Sequence, residues 1–308
     1  MPRRTATQED VARAAGVSQQ TVSRVLNRPE VVSARTRKQV IRAMQALHYV
    51  PNRSAQLLAG KAASSIGLIT ASLTLHAPSQ IAAAIKSHAS LHQLEVAIAM
   101  PAQADFVALQ ARLDELRAQH IRGVIVSLPL ESATAERLVQ DNPDMACLFL
   151  DVSPEADVCC VRFDHRDGCG ACVRHLWELG HREFGLLAGP ESSVSARLRL
   201  ASWREALHSL NIARSTTVFG DWSAASGWQK TFELLHLPPP LTTVAQDFDL
   251  LGKRAVERLI ALMAAPQLRI RELLPTRLIV RQSAWPVAAA EDRQETLAQL
   301  KALVERLY

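Results

Sequence analysis

The stretch TQEDVARAAGVSQQTVSRVLN, residues 7–27, predicts two short helices joined by a tight turn. Thr7 and Asp10 have the spacing of a capping box, with Asp in place of the usual Glu or Gln. Gly16 suits a sharp turn, and Ser18 is a favoured cap for the second helix. Two short helices joined in this way form a helix-turn-helix, whose second helix enters the major groove of DNA.

The second predicted helix begins with side chains that suit base reading. Gln19 and Gln20 come first, and Arg24 follows one turn later. Glutamine can pair with the N6/N7 edge of adenine, and arginine with the O6/N7 edge of guanine. Thr21 and Ser23 are placed to reach phosphates. The alternative is a plain structural hairpin, because many capped helix pairs share this pattern.

A third helix is expected to complete the head, with Ser33 as its cap. Apolar residues at helical spacing in all three segments predict a small shared core. They are Val11, Ala12, Ala15, Val22, Val25, Leu26, Val40, Ile41, Met44 and Leu47.

Positive charge is concentrated at this end of the chain. Residues 1–61 contain 11 Lys and Arg but only three acidic residues, a net charge of +8, whereas the whole chain of 308 residues carries +5. Such asymmetry favours contact with nucleic acid or with an anionic membrane surface. No apolar run reaches the roughly 18 residues of a membrane span, and no apolar signal core is present at the start. We therefore expect a cytoplasmic protein without a membrane partner.

From Ser65 onward, apolar strand-like runs alternate with helical patterns. This alternation predicts a doubly wound parallel sheet, whose ligands bind beyond the carboxyl ends of the strands. The predicted strands are SIGLIT (65–70), EVAIAM (95–100), GVIVSLP (123–129), ACLFLD (146–151), VCCVRFD (158–164), EFGLLAG (183–189) and TTVFGD (216–221). The predicted helices are 80–94, 105–119, 133–140, 167–180, 196–210 and 223–236.

Polar side chains follow several of these strands. Asp151 ends one strand, Ser195 and Arg199 follow another, and Trp222 follows a third. A carboxylate, a hydroxyl, a guanidinium and an indole together suit a polyhydroxylated ligand such as a sugar. Taken singly, each has a plainer interpretation as a core residue or a solvated ion pair. Their convergence at strand ends is what predicts a ligand site.

Five cysteines fit a reducing compartment, and Cys169 with Cys172 forms a C-x-x-C that could bind zinc or cycle in redox chemistry. Neither a histidine nor a second C-x-x-C lies at zinc-finger spacing. The plainer interpretation is buried thiols in a cytosolic protein. We expect no metal and no cofactor.

The segments DVARAAGVSQQTVSRVLN and VSARTRKQVIRAMQALHYVPNRSAQLLAGK resemble the head of the LacI-type family of bacterial transcription regulators. The resemblance implies that Asn52 caps a hinge helix and that Leu58 wedges between base steps in the minor groove. Gln19 departs from the aromatic residue expected there, which affects operator preference. The positions implied to contact DNA are Thr7, Ser18, Gln19, Gln20, Thr21, Ser23, Arg24, Asn27, Ser33, Thr36, Asn52, Arg53, Ala55, Gln56, Leu58 and Ala59.

The same family resemblance extends through SLTLHAPSQIAAAIKS, LFLDVS, LLAGPESSVSARLRLASW and GDWSAASG. It implies a galactoside-like inducer, with Ala71 and Ser127 replacing the expected Ser and Asn. The implied pocket residues are Leu75, Ala77, Pro78, Ile81, Asp151, Phe163, Ser195, Arg199, Trp222, Gln246 and Phe248.

The tail places Leu297, Leu300, Val304 and Leu307 at spacings of three, four and three, which is an a/d stripe. A helix this short needs a partner, either its own body or another subunit. The resemblance favours assembly into a homodimer or tetramer.

The family fold implies an all-α helix-turn-helix head at 1–48 and a hinge helix at 49–61. It then implies a periplasmic-binding-protein-like α/β core at 62–285, and a tether with an amphipathic oligomerisation helix at 286–308. Within the core, we assign 62–161 and 247–277 to a first doubly wound subdomain. We assign 162–246 and 278–285 to a second. In the family, two further strand–helix units stand where LHLPPP (235–240) occurs here, so the resemblance implies a truncation near 236–240.

The leading functional hypothesis is a repressor that binds double-stranded operator DNA of a lactose or galactoside utilisation operon in the bacterial nucleoid and is released by a sugar inducer. The truncation counts against a normal inducer response. The alternative is a sugar-binding transport component without a regulatory role, which the core alone would fit. An enzyme is not expected. Paired glycosidase acids have no obvious site, and Ser193 and Ser195 lack the strand–G-x-S-x-G–helix context.

Overall fold

The computed structural model describes residues 6–49, 65–103, 105–235 and 243–280. The described residues form two compact units, one within 6–49 and the other within 65–280. The predicted hinge contacts at Asn52, Arg53, Ala55, Gln56, Leu58 and Ala59, and the tail stripe at Leu297, Leu300, Val304 and Leu307, lie outside the described residues.

The first unit contains three helices, α1 (Gln8–Ala15), α2 (Gln19–Asn27) and α3 (Ala34–Ala46), with a 3-10 turn at Pro29–Val31. The capping box at α1 is present as predicted. The backbone N–H of Thr7 donates to the Asp10 carboxylate over 2.9 Å, and the backbone N–H of Asp10 donates to the Thr7 hydroxyl over 3.3 Å. Gly16 has φ +64°, a left-handed turn that glycine adopts without strain.

The three helices enclose a small core built on Val11, Val22 and Val40, which are fully buried. The prediction that Ile41 belongs to this core is wrong, because its side chain is 43% exposed. Val40, Ala43, Met44 and Leu47 already follow the one-face spacing of a helix, and Ile41 falls beside that face.

The second unit begins with a six-stranded parallel sheet in the order β2-β1-β3-β4-β5-β9. The strands are β1 (Ser65–Thr70), β2 (Glu95–Ala99), β3 (Gly123–Ser127), β4 (Ala146–Phe149), β5 (Cys160–Phe163) and β9 (Arg271–Leu274). Its helices are α4 (His76–Leu91), α5 (Phe106–Ala118), α6 (Ser132–Asp141) and α10 (Phe248–Ala264).

Helices cover both faces of this sheet, which explains its nearly continuous apolar strands. On one face, α5 and α6 contribute Leu109, Leu113 and Leu138 to a buried cluster. On the other face, α4 and α10 pack together, and a Cβ at Gly252 would lie 2.5 Å from the Cβ of Ala84. Cys159 and Cys160 point to opposite faces, as strand alternation predicts.

The rest of the second unit contains two separate sheet fragments. Strands β6 (Glu183–Ala188) and β7 (Arg214–Phe219) form a parallel pair, and β8 (Thr243–Ala245) and β10 (Arg277–Ile279) form an antiparallel pair. The accompanying helices are α7 (His165–Glu178), α8 (Val194–Ser209) and α9 (Ala224–Leu235). Phe184, Leu186 and Leu200 are buried in the core around β6.

Two boundaries differ from the predictions. Helix α4 begins at His76 rather than at residue 80, so Pro78 lies in its first turn. Proline is tolerated there because the first N–H groups of a helix have no intrahelical acceptor. Strand β5 continues to Phe163 in the six-stranded sheet, two residues past the expected subdomain boundary at 161.

In the described part of the chain, no helix is long and apolar enough to cross a membrane.

Candidate DNA interface and ligand cleft

Helix α2 presents its first polar residues to solvent. The backbone N–H of Thr21 donates to the Ser18 hydroxyl over 3.1 Å, which fixes the first turn. Gln19, Gln20 and Arg24 are exposed, whereas Val22 and Val25 are buried against the other helices. The apolar face is therefore occupied by the head core, and the amide and guanidinium groups remain available for base edges.

Helix α3 begins in the same way as α2. The Ser33 hydroxyl accepts the backbone N–H of Thr36 over 3.2 Å, and the Ser33 and Thr36 hydroxyls lie 2.9 Å apart. Thr7, Ser18 and Ser33 thus each stand at a helix N-terminus, where exposed N–H groups and the helix dipole favour a phosphate oxygen. The side chain of Asn27 lies outside the described residues.

Among residues 6–49 of the head, most cationic side chains form no ion pair. Arg13 pairs with Glu9 over 3.5 Å and with Asp10 over 3.9 Å. The other described cations, all exposed, are Arg24, Arg28, Arg35, Arg37, Lys38 and Arg42. This surplus of positive charge suits the phosphate backbone of DNA.

In the second unit, Asp151 and Ser195 meet at the carboxyl end of β4. The Ser195 hydroxyl, on α8, donates to the Asp151 carboxylate over 2.7 Å. Burial raises the pKa of Asp151, while the Ser195 hydrogen bond and the positive charges of Arg199 and Arg162 act in the opposite direction. The carboxylate is therefore held in a dry, polar position where a sugar hydroxyl could also donate to it.

Arg199 and Trp222 lie beside this carboxylate. The guanidinium carbon of Arg199 is 5.0 Å from the centre of the Trp222 ring. Trp222 has φ +70°, which is unusual for a side chain of its size. Its ring packs on Gly189, where an added Cβ would lie 2.2 Å from the indole. The backbone turn and the missing Cβ together set the position of the indole.

Aromatic residues line the end of β5. The ring centres of Phe163 and Phe248 lie 6.0 Å apart, and that of His76 lies 6.1 Å from Phe248, both in edge-to-face geometry. Ile81 packs in the same cluster as both phenylalanines. Leu75, Ala77 and Pro78 are at the start of α4, and Gln246 is half-buried just after β8.

Because parallel strands end at the same edge of a sheet, the ends of β1, β4 and β5 bring these two groups to one side of the core. The structure thus unites Asp151, Ser195, Arg199 and Trp222 in one cluster. It places Ile81, Phe163 and Phe248 in another.

Three further polar residues join this region: Glu131, His165 and Arg197. Arg197, on α8, forms an ion pair with Glu131, which occupies the N-cap position of α6 without a side-chain capping bond. His165 is half-buried at the first position of α7, and its partial burial, assisted by the positive charge of Arg199, lowers its pKa to about 4. Glu131 and Arg197 are 66 positions apart, and local spacing gave no signal for their contact.

The cysteines and serines of this region have structural surroundings. Burial raises the pKa of Cys169 to about 12 and also raises that of Cys172, which disfavours the thiolate that metals and redox partners require. Among the described residues, no three His, Cys, Asp or Glu side chains group as a metal site. The buried Ser193 hydroxyl caps α8 by accepting the backbone N–H of Ala196.

An exposed, capped helix-turn-helix on a basic head, joined to an α/β core with a polar cleft, defines a DNA-binding transcription regulator with a ligand-binding core. The sequence profile of bacterial regulatory proteins of the lacI family matches residues 7–52. That of periplasmic binding proteins and the sugar-binding domain of the LacI family matches 63–244, and that of the periplasmic binding protein-like domain matches 227–284. The chain belongs to the lacI family of bacterial regulatory proteins.

Relatives and solved structures agree with this assignment. The lactose operon repressor of Klebsiella pneumoniae is 82% identical over 354 aligned positions, covering all of both chains. That of Escherichia coli K12 is 39% identical and covers 97% of each chain. The crystal structure of the lac repressor dimer bound to operator and the anti-inducer ONPF superposes with a TM-score of 0.84 at 39% identity, covering 92% of this chain and all of that one.

These findings confirm the predicted fold class, with a helix-turn-helix head and a periplasmic-binding-protein-like core. They also confirm a transcriptional regulator rather than a transport component. The alignment length also differs from the length of this chain. The alignment with the Klebsiella relative has 354 positions and this chain has 308 residues, so at least 46 positions have no residue here.

Proposed function

We propose that this chain is a sequence-specific repressor of an operon for lactose or galactoside utilisation. The observation that supports this proposal most directly is the intact reading helix α2, with Gln19, Gln20 and Arg24 exposed on a head that carries a cationic surplus. The lactose operon assignment is supported by the 82% identity with the Klebsiella repressor.

At the DNA, Gln19, Gln20 and Arg24 read base edges in the major groove, and the capped helix starts position the head on phosphates. Thr7, Ser18, Thr21, Ser23, Ser33 and Thr36 are the proposed backbone contacts. The hinge residues, with Leu58 as an apolar wedge in the minor groove, are proposed from the sequence alone.

In the core, a galactoside-like ligand binds at the carboxyl ends of the strands. Asp151 and Arg199 take its hydroxyl groups, and the half-exposed indole of Trp222 covers an apolar sugar face. The aromatic group around Phe163 and Phe248 forms the opposite wall. Aliphatic and aromatic walls with a few convergent polar groups are typical of small-ligand sites.

Assembly is proposed to be a homodimer or tetramer, with the stripe of Leu297, Leu300, Val304 and Leu307 joining subunits. Two heads would then bind a pseudo-palindromic operator. The site of action is the bacterial cytoplasm, at the nucleoid. No catalytic role is proposed, since Ser193 serves as a helix cap and Ser195 is bonded to a carboxylate.

A footprinting and gel-shift experiment tests this function. The full chain is incubated with the operator of the Klebsiella relative and with a scrambled duplex of equal length, at two salt concentrations. Specific protection of the operator supports a repressor. Equal affinity for both duplexes would sink the proposal, and galactoside binding without any operator binding would favour the transport alternative.

A further inference from the structure

This chain is shorter than the alignment that it forms with the Klebsiella relative. At least 46 aligned positions of the Klebsiella relative have no counterpart here. One family profile ends at residue 244 and another begins at 227, so both overlap the segment that follows α9. That segment contains three consecutive prolines, Pro238–Pro240.

The sheet topology is interrupted at the same place. Before the prolines lies the β6-β7 pair, and after them lies the β8-β10 pair. In the described ranges, no strand pairs with the second edge of β6 or of β8. The other half of the core has six strands in one sheet, so the two pairs are the remnants expected from a sheet that has lost its central strands.

Helix α7 lies over both remnants. A Cβ at Gly168 would lie 2.2 Å from the Thr276 hydroxyl and 2.6 Å from a Val244 methyl group, so α7 packs closely on the β8-β10 side. The same helix packs along α8, which covers β6. One helical layer thus spans two sheet pieces that are not hydrogen-bonded to each other in the described residues.

The cleft residues are divided among these pieces. Ser195, Arg199 and Trp222 come from the β6-β7 side, Gln246 follows β8, and Asp151 belongs to the six-stranded half. Arg199 Nε is buried without a hydrogen-bond partner among the described residues. A buried donor without an acceptor is costly.

From these observations we infer that a segment of about 46 residues is absent between Leu235 and Thr243, and that its loss uncouples operator binding from the sugar site. This inference rests on the proposed function. A ligand shifts a two-state equilibrium only through different affinities for the two states. Ser195–Asp151 and Arg197–Glu131 tie α8 to the six-stranded half, while β8 and β10 are no longer joined to α8 by a continuous sheet. In the described residues, the packing of α7 rather than a continuous sheet joins the two pieces of the second half. A sugar bound at α8 therefore transmits little of its binding energy to β8 and β10, and the protein represses without release.

Fluorescence anisotropy with labelled operator tests the uncoupling. Saturating methyl β-D-galactoside should change the operator Kd of the full chain by less than twofold. In a matched variant, the corresponding segment of the Klebsiella relative is inserted between Leu235 and Thr243. This variant should lose at least tenfold in operator affinity with the same sugar. Saturable, tenfold loss of operator affinity in the unaltered chain on adding the sugar would overturn the inference. An insertion variant that binds the sugar without losing operator affinity would also overturn it.

Hydrogen exchange separates this inference from the proposed function. Alternate backbone amides of β6 that do not face β7 should exchange as fast as loop amides in the unaltered chain, and should become protected in the insertion variant. If these β6 amides of the unaltered chain are as strongly protected as the amides of β3, the inference that a neighbouring strand is missing is overturned. Failure of both proteins to bind operator would instead contradict the repressor proposal. The hydrogen-exchange result would still show whether β6 lacks a neighbouring strand.

Discussion

The Ser195 hydroxyl donates a hydrogen bond of 2.7 Å to the Asp151 carboxylate, joining helix α8 to the end of strand β4. The two residues are 44 positions apart and belong to different halves of the core. The Asp151 side chain is buried enough for its pKa to rise. This bond therefore stabilises both the carboxylate and the arrangement of the two halves.

Ser195→Ala should destabilise the core by about 1.5–3 kcal/mol, because a buried charged acceptor loses its donor. Urea unfolding at pH 7 measures this difference. Ser202→Ala is the matched control on the same helix, since its hydroxyl only donates to the backbone carbonyl of Leu198. Equal, small changes for both variants would show that the Ser195 bond contributes nothing across the cleft.

Asp151→Asn should change stability in a pH-dependent way. The folded-state pKa of Asp151 is raised by burial, so Asp151 contributes most to stability below its unfolded pKa of about 3.9. That contribution is lost as pH rises through the folded pKa, because the buried group must then ionise. Relative to the parent, Asp151→Asn should therefore gain stability between pH 4 and pH 7. Unfolding curves across this range check the sign, and a difference independent of pH would contradict it.

The head and the six-stranded sheet were predictable because their determinants are local. The caps at Thr7, Ser18 and Ser33 act over three residues, and buried parallel strands read as apolar runs in the sequence. The structure brings Asp151 to Ser195 and Arg199 to Trp222, and their role in binding a ligand stays a prediction.

Strand β9 could not be found in this way. Its sequence, RELL, begins with two charged residues, which is unusual for a strand. In the fold, Glu272 accepts hydrogen bonds from Arg254 and Arg258 of α10, each over 2.6 Å, and these pairs offset the charge. Contacts between distant segments of this kind, including Arg197–Glu131, have no local pattern.

Gly189→Ala should displace Trp222 and weaken sugar binding. An added Cβ would lie 2.2 Å from the indole ring, so the ring must move from its position beside Arg199. Calorimetric titration with methyl β-D-galactoside should show at least a tenfold loss in affinity relative to the parent, with operator affinity unchanged. Gly227→Ala is the control, because a Cβ there meets no atom within 4 Å. Unchanged sugar affinity in Gly189→Ala would remove Trp222 from the proposed site.

Two substitutions on the head should distinguish a residue that contacts bases from a residue that contributes only positive charge to DNA binding. Gln20→Ala removes an exposed amide from the start of α2 and should weaken operator binding by about 1–3 kcal/mol while leaving random duplexes nearly unaffected. Lys38→Ala, an exposed cation on α3, should weaken both duplexes by similar factors and reduce the salt dependence of binding. Anisotropy titrations at several salt concentrations distinguish the two patterns. If Gln20→Ala weakened binding to operator and to random DNA equally, Gln20 would contact phosphates rather than bases. Sequence recognition would then depend on other residues of the head.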